Sequence, residues 1–222
     1  MEGRSVPEIG VECLQAEIIR GEENAMTLSV RFQEALTFAA RLHAEQLRKG
    51  TTIPYVAHLL AVSSIALQHG ADEDEAIAAL LHDAIEDQGG AETREEMRRR
   101  FGDRVVAIVD GCTDSDLTPK PPWKQRKQAY ITHIATASPS VRLISASDKL
   151  DNARAILADY RSVGESLWTR FHGGRDGTLW YYRSLVEMFR RAGSNALVEE
   201  LDRVVIEIER LAGAAAPHCR KE

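Results

Sequence analysis

The chain has 222 residues, a formal net charge of −6 and a pI near 5.7. Hydrophobic residues make up 44% of it and aromatics only 6%, which excludes a disordered chain and leaves no basic footprint for nucleic acid. The three cysteines, Cys13, Cys112 and Cys219, are far apart and form no CxxC pair, so neither a disulfide framework nor a zinc knuckle is implied. A reducing compartment, the cytoplasm, is expected. The first residues lack a basic segment followed by an apolar run, unlike a secretory signal. No apolar stretch approaches the ~18–20 residues of a membrane span.

Residues 1–25 read as an extension with a short helix around Val11–Ile19, residues 26–213 as one domain, and 214–222 as a tail. From Thr27 the helical period is clear: Phe32, Leu36, Ala39, Ala40 and His43 recur at the spacing of one helix face. Gly50 and the following residues break that helix. Pro54 marks the start of the next and Gly70 its end. Asp72 or Asp74 can cap a further helix, AIAALLHDAIED, which Gly89-Gly90 stops. Two shorter helices are predicted near Glu92–Arg100 and Arg104–Gly111, then a loop over 114–122. Helices resume at Trp123–Thr136, Val141–Tyr160, Thr178–Arg190 and Asn195–Leu211. Strand alternation is nearly absent, so the expected fold is all-α, a single helical domain.

The sharpest local feature is Leu80-Leu81-His82-Asp83-Ala84-Ile85-Glu86-Asp87. An apolar helix delivers four ionisable groups into or beside the core, where each needs a partner. A divalent cation is one such partner. His82 and Asp83 could share it, with Glu86 and Asp87 one turn further on. His43, on the apolar face of its helix, is a candidate third ligand. Asp148, after the apolar-rich VRLISAS run, is a candidate fourth, with Asn152 one turn along. Taken singly, His43 reads more readily as a hydrogen-bonded core histidine, and Asp148 could be a helix N-cap. Two imidazoles and two carboxylates suit manganese, iron, cobalt or zinc.

At these residues the chain resembles the HD hydrolase domain of RelA/SpoT-type alarmone enzymes, particularly the stand-alone small alarmone hydrolases. The resemblance rests on His43-Ala-Glu-Gln46-Leu-Arg48-Lys49, Pro54-Tyr55-Val-Ala-His58 and Ala-Leu-Leu-His82-Asp83-Ala-Ile-Glu86-Asp87, then Phe101-Gly102, Val109-Asp-Gly-Cys-Thr113 and Asp148-Lys-Leu-Asp-Asn152. It implies an all-helical fold and one divalent ion, usually Mn(II), held by His43, His82, Asp83 and Asp148. It further implies that Glu86 and Asp87 are the catalytic acidic pair, with Asn152 beside the nucleotide. The implied reaction removes pyrophosphate from the 3′ position of guanosine tetra- or pentaphosphate. Some positions depart from the family pattern. His-Pro becomes His58-Leu59, Glu-Asp-Thr becomes Glu86-Asp87-Gln88, and Asp-Arg-Leu-His-Asn becomes Asp148-Lys-Leu-Asp-Asn152. Guanine and adenine therefore both stay open as the base. The length predicts hydrolysis without a synthetase domain.

A substrate with several phosphates needs cations, and Arg48, Lys49, Arg126, Lys127 and Lys149 are the candidates. A small nucleotide is the expected partner, with no nucleic acid and no membrane; a homo-oligomer stays open. The alternatives are a nucleotidase or phosphatase acting on another nucleotide, and a non-catalytic nucleotide sensor. The Glu86–Asp87 pair argues against the sensor, because binding alone does not require it.

Overall fold

Three of the helices start at side chains that satisfy a first-turn backbone N–H group. In the computed structural model, which describes residues 27–114 and 119–214, Ser29 caps α1 (Val30–Leu42) by accepting from Arg31 N. Asp72 and Glu75 form a reciprocal capping box at α3 (Glu73–Leu81), a device that contributes about 1 kcal/mol. Ser138 caps α8 (Pro139–Val163), with Pro139 in the first turn. Between α1 and α2 (Val56–Gln68) the chain makes an isolated bridge, Leu47 to Pro54. Arg48 N donates to Ile53 O and Tyr55 N to Gln46 O, each at 2.8 Å. Pro54 thus precedes α2 by two residues, and the closed loop fixes Arg48 and Tyr55 together.

The predicted helix through residues 76–87 is interrupted. α3 ends at Leu81, His82 and Asp83 form a turn, and α4 (Ala84–Asp87) is a single further turn. Asp83 sits at φ −102°, ψ −1°, where the helical ladder lapses. Gly89 then adopts φ +98°, and a Cβ there would lie 2.6 Å from Thr93 Oγ1, so only glycine fits. α5 (Gly90–Phe101) and α6 (Asp103–Cys112) follow, then α7 (Trp123–Thr136).

α8 is the spine. It packs against α2, α3, α6, α9 (Gly174–Gly193) and α10 (Ala196–Ala214). Its midsection, from Ile144 to Asp148, is buried without interruption. A 3-10 turn, Gly164–Arg170, links it to α9. The described elements are helical, as expected, and the core is continuous from Ala35 to Ala212. Among the described residues no helix is long and apolar enough to cross a membrane. The helix expected around Val11–Ile19 and the middle of the 114–122 loop lie outside the described residues.

Candidate metal centre and substrate cavity

α2, α3 and α8 pack on one another and each sends one side chain to a common point. His58 from α2, His82 at the end of α3 and Asp148 from the middle of α8 offer ligand atoms all within 4.8 Å of one another. Oδ1 of Asp148 is 3.3 Å from His58 Nε2 and 3.7 Å from His82 Nε2. Asp83 enters from the turn after α3, with Oδ2 3.1 Å from His82 Nε2 and 3.9 Å from His58 Nε2. The interruption after Leu81 lets neighbouring His82 and Asp83 face the same point.

The far side of each ring is held. His58 Nδ1 lies 2.6 Å from Asp151 Oδ2, and His82 Nδ1 lies 2.9 Å from Ala79 O. Both partners only accept, so each Nδ1 donates. Each Nε2 is buried and has no hydrogen-bond partner among the described residues, as is also true of His43 Nε2, but only those of His58 and His82 converge on Asp148. Burying such nitrogens unpaired is costly. One divalent cation among them satisfies two imidazoles and two carboxylates together, so the donor set fits a metal ion.

Electrostatics favour the same grouping. Burial opposes charge on His82, but Asp83 and Asp148 outweigh it and place its pKa well above the ordinary value. Burial opposes charge on His58 too, and the contacts with Asp148 and Asp151 again push its pKa up. Asp83 and Asp148 resist burial in the opposite sense. His82 holds Asp83 below the usual carboxylate range, while Lys149 and the two histidines do so for Asp148.

His43 is not part of this cluster, which corrects the expectation drawn from its place on the α1 face. It caps the C-terminus of α1 and is buried. Its ring stacks on Tyr55 at 5.3 Å between centroids, and Tyr55 in turn meets His58 edge-on at 5.3 Å. Tyr55 therefore stands between the two histidines. Its hydroxyl donates to Asp83 Oδ2. His43 Nδ1 lies 2.7 Å from Gln46 Oε1, and Gln46 Nε2 donates to Asp87 Oδ2 at 2.8 Å. His43 thus buttresses Asp87 through Gln46.

That pair splits in its surroundings. Glu86 accepts from Lys120 Nζ at 2.6 Å and from Asp114 N at 3.2 Å. Asp87 is pushed up by desolvation first, then by Asp83, with Gln46 opposing. A carboxyl whose pKa is raised, beside one that is ion-paired, suits proton transfer.

Beside the cluster lies a cavity of about 340 Å³, whose polar lining includes Tyr55, Arg48, Lys49, Lys127, Lys149 and Asn152, with Asp159 as an acidic member. Trp123, Phe171, Tyr181 and Tyr182 line it as well. Its polar wall is continuous with the metal cluster: Lys149 and Asn152 both donate to Asp148, and Tyr55 reaches Asp83. Burial lowers the pKa of Lys127, while Asp148 raises that of Lys149 against burial. Of the five predicted cations, Arg126 alone is missing from the lining. It is turned onto Asp114 and the carbonyl of Pro121. In the run Trp180-Tyr181-Tyr182-Arg183, Tyr181 and Tyr182 line the cavity, whereas Arg183 pairs with Asp202 and Glu209.

The HD domain family model matches residues 35–179, a span holding every residue of the cluster. The chain belongs to the HD-domain hydrolase family. A Drosophila melanogaster relative named guanosine-3′,5′-bis(diphosphate) 3′-pyrophosphohydrolase MESH1 is 34% identical over 180 residues, covering 79% of this chain and 93% of that protein. A guanosine-3′,5′-bis(diphosphate) 3′-pyrophosphohydrolase of Aquifex aeolicus is 40% identical over 125 residues, 56% of this chain but only 17% of that longer protein. A solved structure described as a metazoan ortholog of SpoT that hydrolyzes ppGpp superposes with a TM-score of 0.68 at 31% identity. It covers 85% of this chain and 99% of that one.

In this HD-domain hydrolase, sequence reasoning missed His58 and Asp151. His58 was within reach: α2 is apolar on nearly every side, so a histidine inside it must be buried. It also falls at the histidine of the family's His-Pro pair. Asp151 had no local signal, because its partners come from residues 93 and 103 positions away.

Proposed function

We propose that this HD-domain hydrolase binds one divalent ion, Mn(II), through His58, His82, Asp83 and Asp148. We further propose that it releases pyrophosphate from the 3′ position of guanosine tetra- or pentaphosphate, or of the adenosine analogue, in the cytoplasm. The reading is carried by two orphaned Nε2 atoms that converge on Asp148 beside a cavity with four cationic side chains in its wall. When bound, such an ion would supply Lewis acidity at the phosphoryl group and lower the pKa of a bound water.

The remaining work falls to this chain's own side chains. Arg48, Lys49, Lys127 and Lys149 gather and neutralise the phosphates, Arg48 through its planar fork and the lysines as point charges. Asn152 adds no charge and suits a ribose hydroxyl or a phosphate oxygen. Trp123, Tyr181 and Tyr182 offer flat faces to the nucleoside. Asp87, its pKa raised by burial and by Asp83, donates to the leaving oxygen, and Glu86 accepts from the attacking water once Lys120 yields it.

Incubating manganese-loaded protein with a nucleotide panel tests the reading. Release of pyrophosphate from a 3′-diphosphate, with the 5′ phosphates intact, is the expected result. Release of monophosphate alone, from any nucleotide tried, would point instead to a nucleotidase. Repeating the assay with iron, cobalt and zinc tests the choice of metal.

A further inference from the structure

α8 serves His58 from both sides. Asp148 stands before its Nε2, and Asp151, three residues on and hence on the same helix face, stands behind its Nδ1. Asp151 Oδ2 is 2.6 Å from that nitrogen and also accepts from Arg48 Nη1 at 3.0 Å. The same guanidinium reaches Asn152 Oδ1 at 3.3 Å. His82 has no such charge behind it, since its Nδ1 faces the neutral carbonyl of Ala79. The two imidazoles are therefore held by unlike partners. Asp151 is also where the chain departs from the family pattern, which has histidine at that place.

We infer that Asp151 is a positioning residue: its carboxylate fixes the ring of His58 with the proton on Nδ1 and the Nε2 lone pair directed at the metal centre, while Arg48 ties that carboxylate to the substrate cavity. This rests on the metal centre proposed above. A carboxylate behind a ligating imidazole locks its tautomer and orientation and makes the other nitrogen a stronger donor, and removing such a partner weakens metal binding about 10–100-fold. A neutral amide at 151 can still accept a hydrogen bond but lacks the charge. Arg48, sharing the same oxygen, keeps the carboxylate from swinging into the cavity, so one side chain links the ion's histidine to the wall that meets phosphate.

The test measures manganese dissociation constants by competition with a chelating indicator for wild-type, Asp151→Asn, Asp151→Glu and His58→Ala proteins, without substrate. Asp151→Asn is expected to bind manganese about 10–100-fold more weakly. Asp151→Glu, which keeps the charge, should lie closer to wild-type, and raising the metal concentration should restore turnover of Asp151→Asn. Wild-type affinity in Asp151→Asn while His58→Ala has lost binding overturns the role of Asp151 alone. Equal loss in the Asn and Glu variants overturns it too, because shape rather than charge would then matter. Undiminished binding in His58→Ala overturns the metal centre itself, and this inference with it.

Discussion

Replacing His58 and His43 in turn by alanine separates two ligand sets that the sequence could not. His58 Nε2 lies 3.3 Å from Asp148 and 3.9 Å from Asp83, whereas the ring of Tyr55 stands between His43 and His58. At manganese one hundred times its dissociation constant, binding to the folded state alone stabilises by about 2.7 kcal/mol. For a domain of this size each kcal/mol moves Tm by about 2–4 °C, so wild-type should gain about 5–11 °C. If losing His58 weakens binding about 100-fold, the upper end for a mere outer partner, the same metal concentration only equals the new dissociation constant. The gain then shrinks to about 0.4 kcal/mol, or about 1–2 °C. His43→Ala should lower the metal-free Tm, since it strips Gln46 of a buried partner, yet keep the metal-induced gain within about 2 °C of wild-type. Differential scanning calorimetry with and without manganese reads both effects. A gain retained in His58→Ala and lost in His43→Ala would refute the geometry argued here.

The metal-free protein should be most stable at mildly acidic pH. His58 and His82 have pKa values raised above 6.5, so their contribution is full below that value and fades as pH rises through the raised ones. Asp83 and Asp148 are held below 3.8, so theirs is present above 3.8 and fades as pH falls through the lowered values. Manganese needs neutral imidazoles, so the metal-induced gain should instead grow with pH; a gain that is flat between pH 5 and 8 would contradict the ligand set. Glu86→Ala should lower kcat about 100-fold or more with metal affinity unchanged, as read by single-turnover kinetics and indicator competition; wild-type turnover would remove Glu86 from the mechanism. Gly173→Ala places a Cβ 2.6 Å from the Trp123 ring, so that ring must shift into or along the cavity. KM for the nucleotide should rise several-fold with metal affinity intact, and an unchanged KM would exclude Trp123 from the nucleotide wall.

The sequence alone determined the helical class, most helix boundaries and the four-group signature from His82 to Asp87, because hydrophobic period, caps and glycines act over a turn or two of chain. Asp72 caps α3 as its position implied, and Asp148 is delivered inside by the apolar run before it. What the tertiary structure decided is which distant side chains meet. His43 and His58 are both buried histidines near helices, and nothing local says which one faces residue 82. The packing of α2 on α3 and α8 chooses His58, and the ring of Tyr55 sets His43 apart. Asp151 behind His58, and Lys127 lining the cavity while Arg126 does not, although both pair with Asp114, follow from the same cause. Ligand and ion-pair distances of a few ångströms are fixed by the crossing of whole helices, a property that no short stretch of chain encodes.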